Sequence, residues 1–130
     1  MLVVTRYRVA PADQQAFRAD ADAALRVLAA RPGCTGGTLG RAVDEPDLWT
    51  LTTSWASVGA YRRALSSHDV KLVAVPLMYR AVDEASAYEP LLAWTPDGGF
   101  VETVPALAVD IGSAAPGERA AGAAPPERSG

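Results

Sequence analysis

Apolar and polar positions alternate over residues 2–9. Val3, Thr5, Tyr7 and Val9 fall on one side and Leu2, Val4, Arg6 and Arg8 on the other, the period-two pattern of a strand with one face to a core. The period then changes. Pro11 suits a first helical turn, Asp13 adds negative charge there, and Phe17, Ala21, Ala24, Leu25 and Leu28 recur on one face of a helix that ends near Ala30. Arg31-Pro32-Gly33 stops it. Residues 34–43 are small and broken by glycines, Asp44-Glu45-Pro46-Asp47 is a turn, and residues 48–55 form a stronger strand, so the pair reads as a hairpin. In that second strand Trp49, Leu51, Thr53 and Trp55 make the heavier, helix-facing side.

Ser57 is placed to cap a second helix over 58–65, and Ser66-Ser67-His68-Asp69 interrupts it before a further helical run through Val70, Leu72, Val73 and Val75. Pro76 is expected to break or kink that run. Residues 85–94 read as a last strand, confined to a sheet edge by Pro90. The order is βαββαβ, an α+β fold with an antiparallel four-stranded sheet and helices on one face. The sheet's other face then needs cover, which a second copy of the chain supplies in a homodimer. Arg6 and Arg8 fall on that face, where charges need acidic partners, across the interface or elsewhere.

The domain is expected over 1–94, followed by an extension over 95–111 that packs on a partner subunit and an Ala/Gly/Pro-rich tail over 112–130 that stays disordered. A chain of 130 residues has room for one core. Its single cysteine, Cys34, excludes an internal disulfide and has no His or Asp companion in sequence to make it a nucleophile. The net charge of −3, with basic residues scattered, leaves no stripe for a nucleic-acid backbone. No apolar run is long enough for a membrane span or an export signal, so a cytoplasmic protein is expected. The glycines Gly33, Gly36, Gly37 and Gly40 do not form a phosphate loop and read instead as sites of a bulge or close packing.

The opening strand, the Arg31-Pro32-Gly33-Cys34-Thr35-Gly36 passage, the Leu48-Trp49-Thr50-Leu51 strand running to Trp55-Ala56-Ser57, Ala60-Tyr61 and the break at Ser66-Ser67-His68 together resemble the antibiotic biosynthesis monooxygenase domain family. The resemblance covers roughly residues 2–92. It implies a ferredoxin-like fold paired into a dimeric α+β barrel, in a family whose members include cofactor-free oxygenases, haem-degrading enzymes and proteins without known activity. The haem-degrading branch uses an asparagine, a tryptophan and an axial histidine at positions that carry Tyr7, Ala64 and Val73 here, so no haem ligand is expected. The polyketide-oxidising branch is the nearer likeness: its tryptophan and tyrosine match Trp55 and Tyr61, while its asparagine is replaced by Leu51.

The expected activity is a cofactor-independent monooxygenation of an aromatic, polyketide-like or quinol substrate, with molecular oxygen as co-substrate and no cofactor or metal. Trp55, Tyr61 and His68 are the candidate catalytic residues. The indole and phenol would orient a ketone or phenol, and His68, the one side chain titrating near neutrality, would deprotonate it. Tyr7, Trp49, Leu51, Met78 and Tyr88 are the candidate substrate-binding wall. The competing reading makes Trp55, Tyr61, Tyr7 and Trp49 core anchors and His68 part of a plain helix break. It predicts a closed interior and a non-catalytic, ligand-binding or stress-associated dimer. A cofactor-free cyclase or isomerase would use the same interior without oxygen.

Overall fold

A computed structural model of the chain describes residues 1–104. The expected tail over 112–130, and the extension beyond residue 104, lie outside the described residues. Met1–Ser86 form one compact unit and a second begins at Ala87.

In the first unit, β1 (Leu2–Arg8), β2 (Cys34–Arg41) and β3 (Leu48–Trp55) form an antiparallel sheet with β3 in the middle. The register pairs Tyr7 with Trp49, Thr5 with Leu51 and Val3 with Thr53. One face therefore carries Val3, Thr5, Tyr7, Trp49, Leu51, Thr53 and Trp55, all buried. The other edge of β1 is taken by backbone bonds, Val82 N–H to the Arg6 carbonyl and Val4 N–H to the Ser86 carbonyl, both 2.7 Å. The pairing of β2 with β3 shifts between Cys34 and Gly36, a bulge in the glycine-rich strand. Gly37 lies where a Cβ would come within 2.6 Å of Leu25 Cδ1, so the helix above β2 packs directly on backbone.

That helix, α1 (Gln14–Ala29), follows a single 3-10 turn at Pro11–Asp13. It buries Phe17, Ala21, Ala24 and Leu28, the stripe that its period predicts. Helix α2 (Val58–Ser66) starts at Ser57, whose hydroxyl accepts from Ala60 N–H at 3.0 Å. The run that Pro76 was expected to break or kink continues past it, with its helical geometry altered just before the proline. Val70–Ala74 is a π turn leading into α3 (Val75–Met78), with Pro76 in its first turn. The wider turn relieves the clash of the proline ring with the carbonyl four residues earlier. Val70, Ala74 and Leu77 close the core from this side.

In the second unit the single strand expected over 85–94 is replaced by a two-residue β4 (Ala87–Tyr88) and a hairpin of β5 (Leu92–Thr95) with β6 (Gly99–Glu102). Pro90 divides the run, and Gly99, at φ +66°, allows the turn that folds β6 back. Trp94 and Phe100 face each other across this hairpin at 6.4 Å.

Candidate functional site

The face of β1 and β3 under the helices is apolar except for a line of hydroxyls, and that line locates the candidate site. Thr5 and Thr53 are buried at inward strand positions where apolar residues would ordinarily stand. Thr5 Oγ1 donates to the Leu51 carbonyl at 3.3 Å and lies 2.8 Å from the Tyr7 hydroxyl. A threonine has one proton, so with Thr5 donating to Leu51 the Tyr7 O–H donates to Thr5 and leaves its own oxygen as an acceptor. Burial raises the Tyr7 phenol above its ordinary range, against the opposing effects of its hydrogen bond with Thr5 and the positive charge of Arg80.

Trp55 and Tyr61 meet at the corner between β3 and α2, with ring centroids 5.4 Å apart and planes tilted by 53°. The corner is set by Gly33, whose carbonyl accepts from Ala56 N–H at 2.7 Å. The indole N–H does not point into open space as expected: it donates to Thr53 Oγ1 at 2.9 Å, two residues back on the same strand face. Trp55, 2% exposed, offers a ring and no free donor. Tyr61 is half-buried, and its phenol is pushed up to about 12 by burial, with a further contribution from Tyr7. Both tyrosines hold their protons at neutral pH.

The other predicted residues divide. Leu51 is buried beneath Thr5 and Leu39, and Met78 packs half-buried against the core. Trp49 meets Phe17 edge-on at 5.4 Å, with the Arg41 guanidinium 5.5 Å from its ring centroid, and its buried Nε1 has no hydrogen-bond partner. Tyr88 belongs to the second unit and is exposed. His68 is exposed and is not brought to Trp55 or Tyr61. α2 ends at Ser66, and Ser67 Oγ donates to the Ala64 carbonyl at 2.7 Å, so His68 follows a break in the helical run.

Arg6 and Arg8 lie on the open face of the sheet, as their alternation requires, and find partners within the chain: Arg6 with Glu84 at 3.4 Å, Arg8 with Glu45 and Asp47 at 3.1 and 3.4 Å. Among the described residues, no group of three or more His, Cys, Asp and Glu side chains is arranged to hold a metal, and no helix is long and apolar enough to cross a membrane.

On the side of Tyr7 facing α1 there is a cleft of about 60 Å³, lined by Tyr7, Arg8, Val9, Asp13, Phe17 and Arg80. Tyr7 and Phe17, with centroids 5.1 Å apart and each 1% exposed, form its floor. Sequence reasoning assigned Phe17 to the core and passed over Thr5, Asp13 and Arg80 as site residues. The one available signal was the pair of threonines at inward positions.

The geometry defines a small α+β domain with an aromatic and phenolic interior. The sequence profile of the antibiotic biosynthesis monooxygenase family matches residues 1–74, more than half of the chain, and the chain belongs to that family. Solved structures are similar in fold, three of them as follows. A conserved protein from Methanosarcina mazei is 20% identical, with 66% of this chain and 84% of that one covered and a TM-score of 0.55. A Mycobacterium tuberculosis protein is 22% identical, with 69% and 93% covered and a TM-score of 0.56. SnoaB, a cofactor-independent oxygenase from Streptomyces nogalater, is 25% identical, with 62% and 82% covered and a TM-score of 0.54. No curated protein matches the chain significantly.

Proposed function

We propose that the protein is a cofactor-independent monooxygenase acting on a hydroxylated aromatic or quinol-like substrate. Family membership and the likeness to a cofactor-independent oxygenase support the reaction class. The observation that carries the reading is the pair of phenols, Tyr7 buried and Tyr61 half-buried, at a largely apolar interior. An electron-rich ring, ionised to its phenolate or enolate, passes an electron to oxygen. Recombination forms a carbon–oxygen bond, and breakage of the O–O bond leaves one oxygen atom on the substrate as a carbonyl and releases the other as water, so that a ring CH2 and O2 give C=O and H2O. Tyr61, protonated well above neutral pH, donates to the substrate oxygen and stabilises the enolate. Tyr7 fixes the wall beside it, and Trp55 supplies a ring face. His68 has no part in this scheme. The protein works as a cytoplasmic homodimer paired through the open sheet face, where Thr38, Thr50, Thr52 and Ser54 with Gly36 and Gly40 allow close approach.

The test is oxygen uptake by purified protein, treated with chelator, on a panel of anthrones and quinols. Turnover that falls at least about tenfold in Tyr61→Phe supports the reading, and absence of uptake across the panel refutes it. One observation favours a second reading, a non-catalytic ligand-binding dimer: the cleft of about 60 Å³ is far smaller than the roughly 300 Å³ at which small-molecule sites begin. A protein that binds the panel without consuming oxygen would establish it.

A further inference from the structure

For an aromatic ring to enter the cleft of about 60 Å³ beside Tyr7 some wall must move, and the walls differ in what moving them costs. Tyr7, Phe17 and Val9 are at most 5% exposed and belong to the core, where Phe17 is fixed by ring contacts to both Tyr7 and Trp49. Arg80 is different. Its guanidinium lies 5.5 Å from the centroid of the Phe17 ring and is held from outside by Asp20 of α1 at 3.2 Å, with both side chains more than half exposed. It lies beyond the stretch matched by the family profile.

We infer that Arg80 is a latch over this cleft: a hydroxylated aromatic ring enters by displacing the guanidinium from the face of Phe17, and Arg80, released from Asp20, then holds the ring's oxygen. This rests on the proposed function for the substrate class but not for the chemistry. The ring stacks where the guanidinium lay. The other charges at the cleft set the ligand's pattern. Arg8 is already engaged by Glu45 and Asp47. Asp13 presents a carboxylate that disfavours a bare anion and accepts a proton from a hydroxyl. The site therefore suits a planar ring carrying an O–H donor toward Asp13 and an oxygen acceptor toward Arg80, a fused-ring diol or hydroxyketone, over an unsubstituted ring or a simple anion. An exposed pair such as Arg80–Asp20 competes weakly, which makes it a latch that a ligand can open.

Fluorescence titration of the full chain with dihydroxynaphthalene and with unsubstituted naphthalene tests this. Asp20→Asn, which frees Arg80 without touching the cleft, is expected to bind the diol about threefold tighter. Arg80→Met, which keeps an apolar stem, is expected to bind it about tenfold more weakly, whereas naphthalene, which needs only that the guanidinium leave the Phe17 face, is weakened by neither substitution. Both substitutions are at exposed positions, and thermal unfolding of each variant confirms that it is folded. Wild-type affinity for the diol in both variants, or no binding of the diol by the wild type, overturns the latch. Diol binding that responds as stated without oxygen uptake leaves the latch standing and refutes the oxygenase. Oxygen uptake with an unresponsive Asp20→Asn does the reverse.

Discussion

Gly33→Ala should be among the most damaging small substitutions in the chain, and its effect can be divided into two parts. Gly33 has φ +90°, a backbone conformation that costs a residue with a Cβ about 1–2 kcal/mol. A Cβ there would also lie 2.5 Å from the Cβ of Ala60 in the first turn of α2, where neither backbone has slack, and overpacking of this kind costs about 1–3 kcal/mol. Together the loss should be about 2–5 kcal/mol, a large share of the stability of a small domain. Urea unfolding measures it as a lower midpoint at unchanged slope. Ala60→Gly separates the parts. It removes the offending methyl and leaves Ala60's own Cα at 3.8 Å, an ordinary contact, but costs about 1 kcal/mol in helix propensity when made alone. In the double variant the steric part should vanish and the φ part remain, giving a favourable coupling of about 1–3 kcal/mol. A Gly33→Ala variant within about 0.5 kcal/mol of the wild type would refute the strain, and strict additivity with Ala60→Gly would refute the clash.

Ser57→Ala removes the cap of α2 and should cost about 1 kcal/mol in the same unfolding experiment. Tyr7→Phe removes the donor to Thr5 while Thr5 keeps its bond to Leu51, so it should cost about 1 kcal/mol and no more, measured likewise. For Tyr61 the folded pKa, about 12, exceeds the ordinary value of 10, so its contribution is complete below about pH 10 and is lost as pH rises toward 12. Half-burial limits the loss to about 2 kcal/mol, and Tyr61→Phe should abolish this part of the alkaline decline in a pH series of melting curves. Thr52→Arg, in the middle of the open sheet face, should halve the sedimenting mass if the dimer forms there, and an unchanged mass would place the interface elsewhere.

The strand and helix order was legible because β1, β3, α1 and α2 each have a single buried face. Val3, Thr5 and Tyr7 alternate against Leu2, Val4 and Arg6, and Phe17, Ala21, Ala24 and Leu28 hold a helical period, so local pattern and tertiary burial agree. Two elements were misread for lack of that agreement. The passage of the helix through Pro76 depends on a π turn that no propensity encodes, and the residues of β4, β5 and β6 are exposed, so their pattern reports no buried face to read.

The site was legible only where sequence neighbours make it. Trp55 and Tyr61 lie six positions apart across one corner, so their contact follows from the strand and helix around them. Arg80 meets Phe17 and Asp20 from sixty or more residues away in the sequence, and nothing in its local sequence distinguishes it from the other arginines. His68 was singled out for its intrinsic acidity. In the structure its side chain is exposed at the break between α2 and the π turn. The hydroxyls of Thr5 and Thr53 carried the better signal. A polar atom at an inward strand position must be met by another polar atom, and here each threonine meets an aromatic group of the interior, the phenol of Tyr7 or the indole of Trp55. Replacing both threonines by valine therefore tests what these bonds are for. Thr→Val keeps the shape but leaves the indole N–H without its partner, at a cost of about 1–3 kcal/mol at Trp55, and deprives the Tyr7 hydroxyl of the Thr5 oxygen it binds. If the bonds serve only to satisfy the core, diol affinity should not change when they are removed. If they hold the ring and phenol in place for a ligand, affinity should fall in the double variant even under conditions where it is fully folded.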